Sequence, residues 1–250
     1  MKKLENRVAI VTGASSGVGR GVAKILAENG AKVCVCARRM EMLESLTQEV
    51  REAGGEMFPV ACDVMEPDQI HNVVTQCVER YGGVDILVNL AQGAMQDRPL
   101  EETDAEYSLL AFKSGALASL LFMQECFPYL KKSGHGRIIN TASAAGYDGS
   151  PGFGAYGMAK EAIRAITRTA ANEWGQYGIT ANVFLPIIAT DFFRETQPAA
   201  LKSLESKTPL HRIGTTEKDC APLIVFLASD DGGYLTGQSY MVDGGIHKHC

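Results

Sequence analysis

Short runs of β-branched and other apolar residues recur along the chain at Val8 to Thr12, Lys32 to Ala37, Met57 to Ala61, Ile86 to Asn89, Arg137 to Thr141, Thr180 to Phe184 and Ser239 to Val242. Longer segments of helical period separate them. Between the first two runs Val18, Val22, Ile25 and Leu26 repeat at that spacing, and Asn29-Gly30 supplies the stop. Strands with helices between them predict an α/β fold: a doubly wound, seven-stranded parallel sheet with helices on both faces. Strand, glycine loop, helix and strand at the start of the chain make one βαβ crossover.

The 250 residues, 46% of them hydrophobic, can bury one sizeable core. No repeat, low-complexity tract or Pro/Ser-rich linker marks a boundary, so residues 1–250 are expected to form a single domain. The longest stretch read as irregular, Asp191 to Arg212, carries Phe192, Phe193, Pro198 and Pro209. It follows the carboxyl end of a strand, which predicts a substrate lid over 191–212.

A net charge of -5 and the lack of any basic run argue against nucleic acid as a partner. The Met1-Lys2-Lys3 start lacks the apolar stretch of a signal peptide, and no run approaches the roughly 20 apolar residues that cross a bilayer. A cytoplasmic protein without a membrane partner is expected. The seven cysteines contain no C-x-x-C pair, which favours buried free thiols over zinc or a disulfide framework. Cys34 and Cys36 are assigned to opposite faces of the second strand. The closing His247-Lys248-His249-Cys250 is read as a frayed terminus, and no metal is expected.

Thr12-Gly13-Ala14-Ser15-Ser16-Gly17-Val18-Gly19 follows the first strand and opens the first helix. In that setting Gly13, Gly17 and Gly19 allow a tight turn and close approach of a pyrophosphate to the helix N-terminus, with Ser15, Ser16 and Val18 beside it. The second strand ends Cys36-Ala37-Arg38-Arg39. No carboxylate stands there to hold a ribose 2′-hydroxyl, whereas guanidiniums at Arg38 and Arg39 favour a 2′-phosphate by about 1.5–3 kcal/mol per contact. NADP(H) is therefore expected over NAD(H), with solvated arginines at a helix start as the plainer alternative. Asp63-Val64 closes the third strand and Asn89-Leu90-Ala91-Gln92-Gly93 the fourth, both at the ligand-binding edge of an open sheet. Asp63 suits an adenine amine or, equally, a cap for the helix near Pro67.

Ser143 precedes Tyr156-Gly157-Met158-Ala159-Lys160. Tyrosine and lysine four apart share one helix face, so an ammonium can sit beside a phenol. Lowering a phenol from about 10 by roughly 3 units takes about 4 kcal/mol, which one cation at about 4 Å supplies in an effective dielectric near 20. The spacing alone is common; its combination with Ser143 and the glycine loop is not.

Together these motifs make the chain resemble, over essentially its whole length, a short-chain dehydrogenase/reductase of the 250-residue branch, with a Rossmann-type domain. The matching positions are Thr12 to Gly19, Asp63-Val64, Asn89 to Gly93, Ser143, Tyr156, Lys160, Pro186 to Thr190 and Val242-Asp243-Gly244-Gly245. The resemblance implies that Tyr156 protonates a carbonyl oxygen as NADPH delivers hydride, that Ser143 hydrogen-bonds that oxygen, and that Lys160 holds the ribose and lowers the tyrosine pKa. It also implies that Pro186, Ile188 and Thr190 close on the nicotinamide. Three departures stand out. Asn89-Leu90-Ala91-Gln92-Gly93 replaces the usual Asn-Asn-Ala-Gly, with Asn89 and Ala91 aligned. Ser114, within Lys113-Ser114-Gly115, occupies the place of a relay asparagine, and Ile187 that of a glycine.

Met95, Ala144, Tyr147, Phe153, Ile187, Phe192 and Phe193 form a mostly apolar set near the expected carbonyl site, or plain core. A small hydrophobic ketone or secondary alcohol is the expected substrate. Ala105 to Leu121 and Ala159 to Trp174 are apolar on more than one face, which, with the resemblance, predicts a homo-oligomer, dimer or tetramer. Two other readings stay open: a dinucleotide-binding protein with little or no turnover, and a non-redox epimerase or dehydratase on the same fold.

Overall fold

The computed structural model describes residues 2–93, 98–196 and 198–248, without the side chains of Asp191, Phe192 and Thr196. The apolar runs form β1 (Val8–Thr12), β2 (Lys32–Ala37), β3 (Glu56–Ala61), β4 (Ile86–Asn89), β5 (Arg137–Thr141), β6 (Thr180–Pro186) and β7 (Ser239–Val242). They pair in the order β3-β2-β1-β4-β5-β6-β7, every pair parallel. β6 runs past Phe184 because Leu185 and Pro186 remain in register with Met241 and Val242 of β7.

Helices α1 (Gly17–Glu28), α2 (Met40–Glu52) and α10 (Ala221–Ala228) cover one face of the sheet. Val22, Leu26, Leu43, Leu46, Ile224 and Leu227 pack there on Ala9, Val11, Val33, Val35 and Phe184. The other face carries α3 (Pro67–Tyr81), α5 (Ala118–Ser133) and α7 (Gly154–Trp174), whose Ile70, Val73, Phe122 and Leu130 pack on Val8, Ile10, Cys34 and Phe58. Odd and even strand positions thus part between the two faces, as the pleat requires. Cys34 and Cys36 are two apart and share a face, in the same cluster as Cys62, Cys77 and Cys126, which corrects their expected separation. These thiols are free and buried, and burial pushes Cys126 well up.

Three further expectations change. The helix expected over Ala105 to Leu121 is α4 (Ala105–Phe112), a π turn at Lys113–Leu117, and the start of α5. Ser114 turns its hydroxyl onto the Leu110 carbonyl within the helix, and such back-bonding with a following glycine loosens the ladder. The stretch Asp191 to Arg212 is not irregular but holds α8 (Asp191–Thr196) and α9 (Pro198–Lys207). Pro198 opens α9, where a missing N–H costs nothing, and Pro209 lies just past its end. The tail is not frayed at His247, whose ring bridges Asp243 Oδ2 at 2.7 Å and Asp148 Oδ2 at 2.6 Å; His249 and Cys250 lie outside the described residues.

Within the sheet, Asn89 Nδ2 donates to Asn140 Oδ1, and Asn140 Nδ2 donates to Thr167 Oγ1 on α7, each at 2.9 Å. All three residues are buried, so the chain of hydrogen bonds ties β4 and β5 to the helix that carries Tyr156. Asn140→Ala removes one hydrogen bond each from Asn89 and Thr167 and leaves a buried cavity, and is expected to cost about 2–4 kcal/mol, read as a lower urea midpoint. A loss under about 0.5 kcal/mol would show that the network does not hold the helix.

Candidate active site

The glycine loop is shaped by close approaches. Gly13 sits at φ +68, and a Cβ there would lie 2.9 Å from the Ala91 backbone nitrogen; a Cβ at Gly19 would collide with the Gly13 carbonyl. Ser16 caps α1 with extended backbone but accepts no hydrogen bond from the helix on its side chain, so the first-turn N–H groups of the helix keep their capacity for an anion. Thr12 Oγ1 accepts from the Leu90 and Ala91 N–H groups at 3.0 and 3.1 Å, clamping the end of β4 beside the loop. Arg39, at the start of α2, donates from Nη2 to Ser15 Oγ and Ser16 Oγ at 3.0 Å each.

These groups line one cleft of about 570 Å³ at the carboxyl edge of the sheet. Of the residues singled out from sequence, Gly13, Ser15, Ser16, Val18, Gly19, Arg38, Arg39, Asp63, Val64, Ala91, Ser114, Ser143, Tyr156, Lys160 and Pro186 face it. Gly17, Asn89, Ile188 and Thr190 are not among the residues that line it. Asn89 is spent in the buried network, and Gly17 abuts the Thr190 side chain. Asp63 does not cap α3, whose N-cap is Glu66; it accepts from the Met65 N–H at 3.0 Å instead. Of the apolar set, Ile187 lines a neighbouring cavity with Pro209, Leu210 and Met241. Phe153 sets its ring 6.2 Å from that of Tyr156, and Met95 lies outside the described residues. Sequence reasoning quoted Gln92 within the Asn89 to Gly93 segment but gave it no role, and it missed the Thr141 carbonyl, since a backbone acceptor leaves no residue signal.

At the nicotinamide end expected from the resemblance, Ser143 caps α6 (Ala144–Asp148), its Oγ accepting from the Ala145 N–H at 3.2 Å, and it stands in the same cleft wall as Tyr156. Lys160 is 3% exposed and donates to the Thr141 carbonyl at 3.0 Å. Burial lowers its pKa to about 8. Burial also raises the Tyr156 phenol, against a smaller lowering by Ser143. The expected lowering of the phenol by Lys160 is thus absent: Nζ lies 5.5 Å from the ring centroid and points to a carbonyl, and desolvation dominates. A protonated phenol, a hydroxyl and a buried amine together can deliver a proton to an oxyanion developing in the cleft.

The comparisons with known proteins agree with this geometry. A family model described as enoyl-(acyl carrier protein) reductase matches residues 13–247. A 12alpha-hydroxysteroid dehydrogenase of a Clostridium species is 33% identical, with 97% of each chain covered. A 3-oxoacyl-(acyl-carrier-protein) reductase of Thermotoga maritima is 34% identical over 98% of this chain and 99% of that protein. The crystal structure of a candidate gluconate dehydrogenase from Agrobacterium tumefaciens superposes with TM-score 0.91 at 30% identity, covering 98% and 97% of the two chains. The chain belongs to the short-chain dehydrogenase/reductase family, and it is an oxidoreductase of that family, whose members bind nicotinamide dinucleotides.

Lys160 also makes a stability prediction. Its folded pKa of about 8 lies below the unfolded value of about 10.4, so its burial as a cation destabilises the fold fully below pH 8, and this penalty fades as pH rises through that window. Lys160→Met is expected to stabilise by up to about 3 kcal/mol at pH 7 and by progressively less at pH 9 and 10. Urea unfolding of both proteins across that range checks it; a pH-independent difference contradicts the buried-cation account.

Proposed function

We propose that the protein is an NADP(H)-dependent reductase that interconverts a hydrophobic ketone and its secondary alcohol, with Tyr156 as the proton-transfer residue. The convergence of Ser143, Tyr156 and buried Lys160 on the cleft that the glycine loop opens carries this reading. The residues present fit a dinucleotide: a side chain at Gly13 or Gly19 would fill the loop, and the α1 N-terminus is left for phosphates. Gly17, Ser15, Ser16 and Val18 complete that cradle, Asp63 and Val64 take the adenine, and Asn89, Ala91, Pro186, Ile188 and Thr190 shape the nicotinamide end. Hydride donation and acceptance at the substrate carbon is the chemistry the nicotinamide supplies when bound.

Tyr156 gives its proton to the carbonyl oxygen, and the phenolate left behind is reprotonated from solvent through the Lys160 side. Ser143 donates a hydrogen bond to the same oxygen as charge develops. A phenol raised by burial stays protonated at neutral pH, the form that can give a proton to a carbonyl oxygen. Arg38 and Arg39 at the adenosine end support the 2′-phosphate, with Arg39 already drawn over Ser15 and Ser16. Phe153 beside the tyrosine favours an alicyclic or aromatic substrate, as does likeness to a hydroxysteroid dehydrogenase. The α8–α9 segment serves as the lid over residues 191–212. Leu109 and Phe112 of α4 and Met158 of α7 are exposed apolar side chains that support a homo-oligomer in the cytoplasm.

Loss of NADPH absorbance over alicyclic, aromatic and steroid ketones and a 3-oxoacyl thioester tests the reading, with NADH alongside. Turnover is expected with NADPH and is expected to vanish in Tyr156→Phe; binding of cofactor without reduction of any ketone sinks it. Arg39→Ala is expected to weaken NADPH binding about tenfold to a hundredfold while leaving NADH nearly unchanged, as fluorescence titration reads. Sedimentation should give a dimer or tetramer, and a monomeric mass excludes the assembly.

A further inference from the structure

The Gln92 side chain runs from the cleft wall to the helix behind it. Its Nε2 donates to the Ala111 carbonyl at 3.2 Å and to Ser114 Oγ at 3.4 Å. These acceptors flank the junction where α4 gives way to the π turn at Lys113. A π turn interrupts the regular i→i−4 ladder, so outside partners help to hold one geometry there.

Ser114 does not supply that hold alone. Its hydroxyl donates to the Leu110 carbonyl at 2.7 Å and accepts from the Gly93 N–H at 3.0 Å as well as from Gln92. One donor and two acceptor positions are thereby spent, leaving the serine nothing to offer a proton relay. Gln92 Oε1 is buried and, among the described residues, takes no donor. The carboxamide occupies the space beside Gly115, where a Cβ would collide with Oε1.

The braced junction bears on the catalytic helix. Ala111, whose carbonyl Gln92 holds, packs in a buried cluster with Ala155 and Ala159, the chain neighbours of Tyr156 and Lys160. Close packing of such small side chains transmits a shift of α4 to α7 instead of absorbing it.

We propose that Gln92 is a positioning residue for the reaction assigned above, on which this inference rests: its carboxamide fixes the π turn and, through Ala111, sets Tyr156 and Lys160 toward the substrate carbonyl. Gln92→Glu preserves the side-chain shape but turns an oxygen to the Ala111 carbonyl, whereas Gln92→Ala removes the brace. Both are expected to lower kcat about tenfold or more, with KM and the NADPH Kd within about twofold of wild type. Gly115→Ala displaces the same carboxamide and gives a similar loss. Added to Gln92→Gly, it costs nothing further, because the two changes remove one contact.

Steady-state kinetics with NADPH fluorescence titration, on variants whose fold is checked by circular dichroism, decides it. A Gln92→Glu enzyme with kcat within about twofold of wild type, a loss confined to KM or Kd, or losses that multiply in the double variant each overturn the proposal. Wild-type turnover with undisturbed Gln92 variants defeats this inference alone. A wild type as inert as Tyr156→Phe defeats the functional reading, and this inference with it.

Discussion

A parallel sheet brings all its strand carboxyl ends to one edge and leaves two apolar faces to cover, and the remaining architecture answers that constraint. Each crossover must return across a face, so the helices alternate between α1, α2 and α10 on one side and α3, α5 and α7 on the other. Because β1 lies between β2 and β4, successive crossovers diverge there, and a crevice opens where no connection crosses the edge. The glycine loop, Arg39, Ala91 and Ser143 reach that crevice because each ends or follows a strand.

The same burial that stabilises the fold sets the chemistry of the site. Lys160 is enclosed and loses hydration that a single carbonyl bond to Thr141 only partly replaces, which is why its pKa falls to about 8. Tyr156 moves the other way for the same reason, since its charged form is the phenolate. At neutral pH Lys160 still carries its proton, because a pKa of about 8 leaves it mostly cationic, and Tyr156 keeps its own, a state suited to giving a proton to an oxygen that gains negative charge.

Two departures from the family pattern, at Gln92 and at Ser114, lie some twenty residues apart in the chain but form one cluster in space with the neighbouring Gly115. The carboxamide, the saturated hydroxyl and the missing Cβ fit one another, and their common effect falls on α4 where it meets α7. Ile187 belongs elsewhere, beside Pro209 and Met241 in a second cavity.

The strands, the first βαβ crossover and the Ser143, Tyr156 and Lys160 constellation were legible from periodicity and spacing, because apolar pattern and turn residues act locally. What the chain alone did not disclose depends on contacts between distant residues. The shared face of Cys34 and Cys36 did follow from the strand period and was misassigned. The π turn is invisible to a helical pattern, α8 and α9 were hidden by prolines that stand at or beyond helix ends, and His247 is tied down by Asp148 almost a hundred positions away. The direction of the Tyr156 shift was decided only by tertiary structure, because desolvation is a property of everything packed around a group and leaves no mark on the residue's own neighbours in sequence.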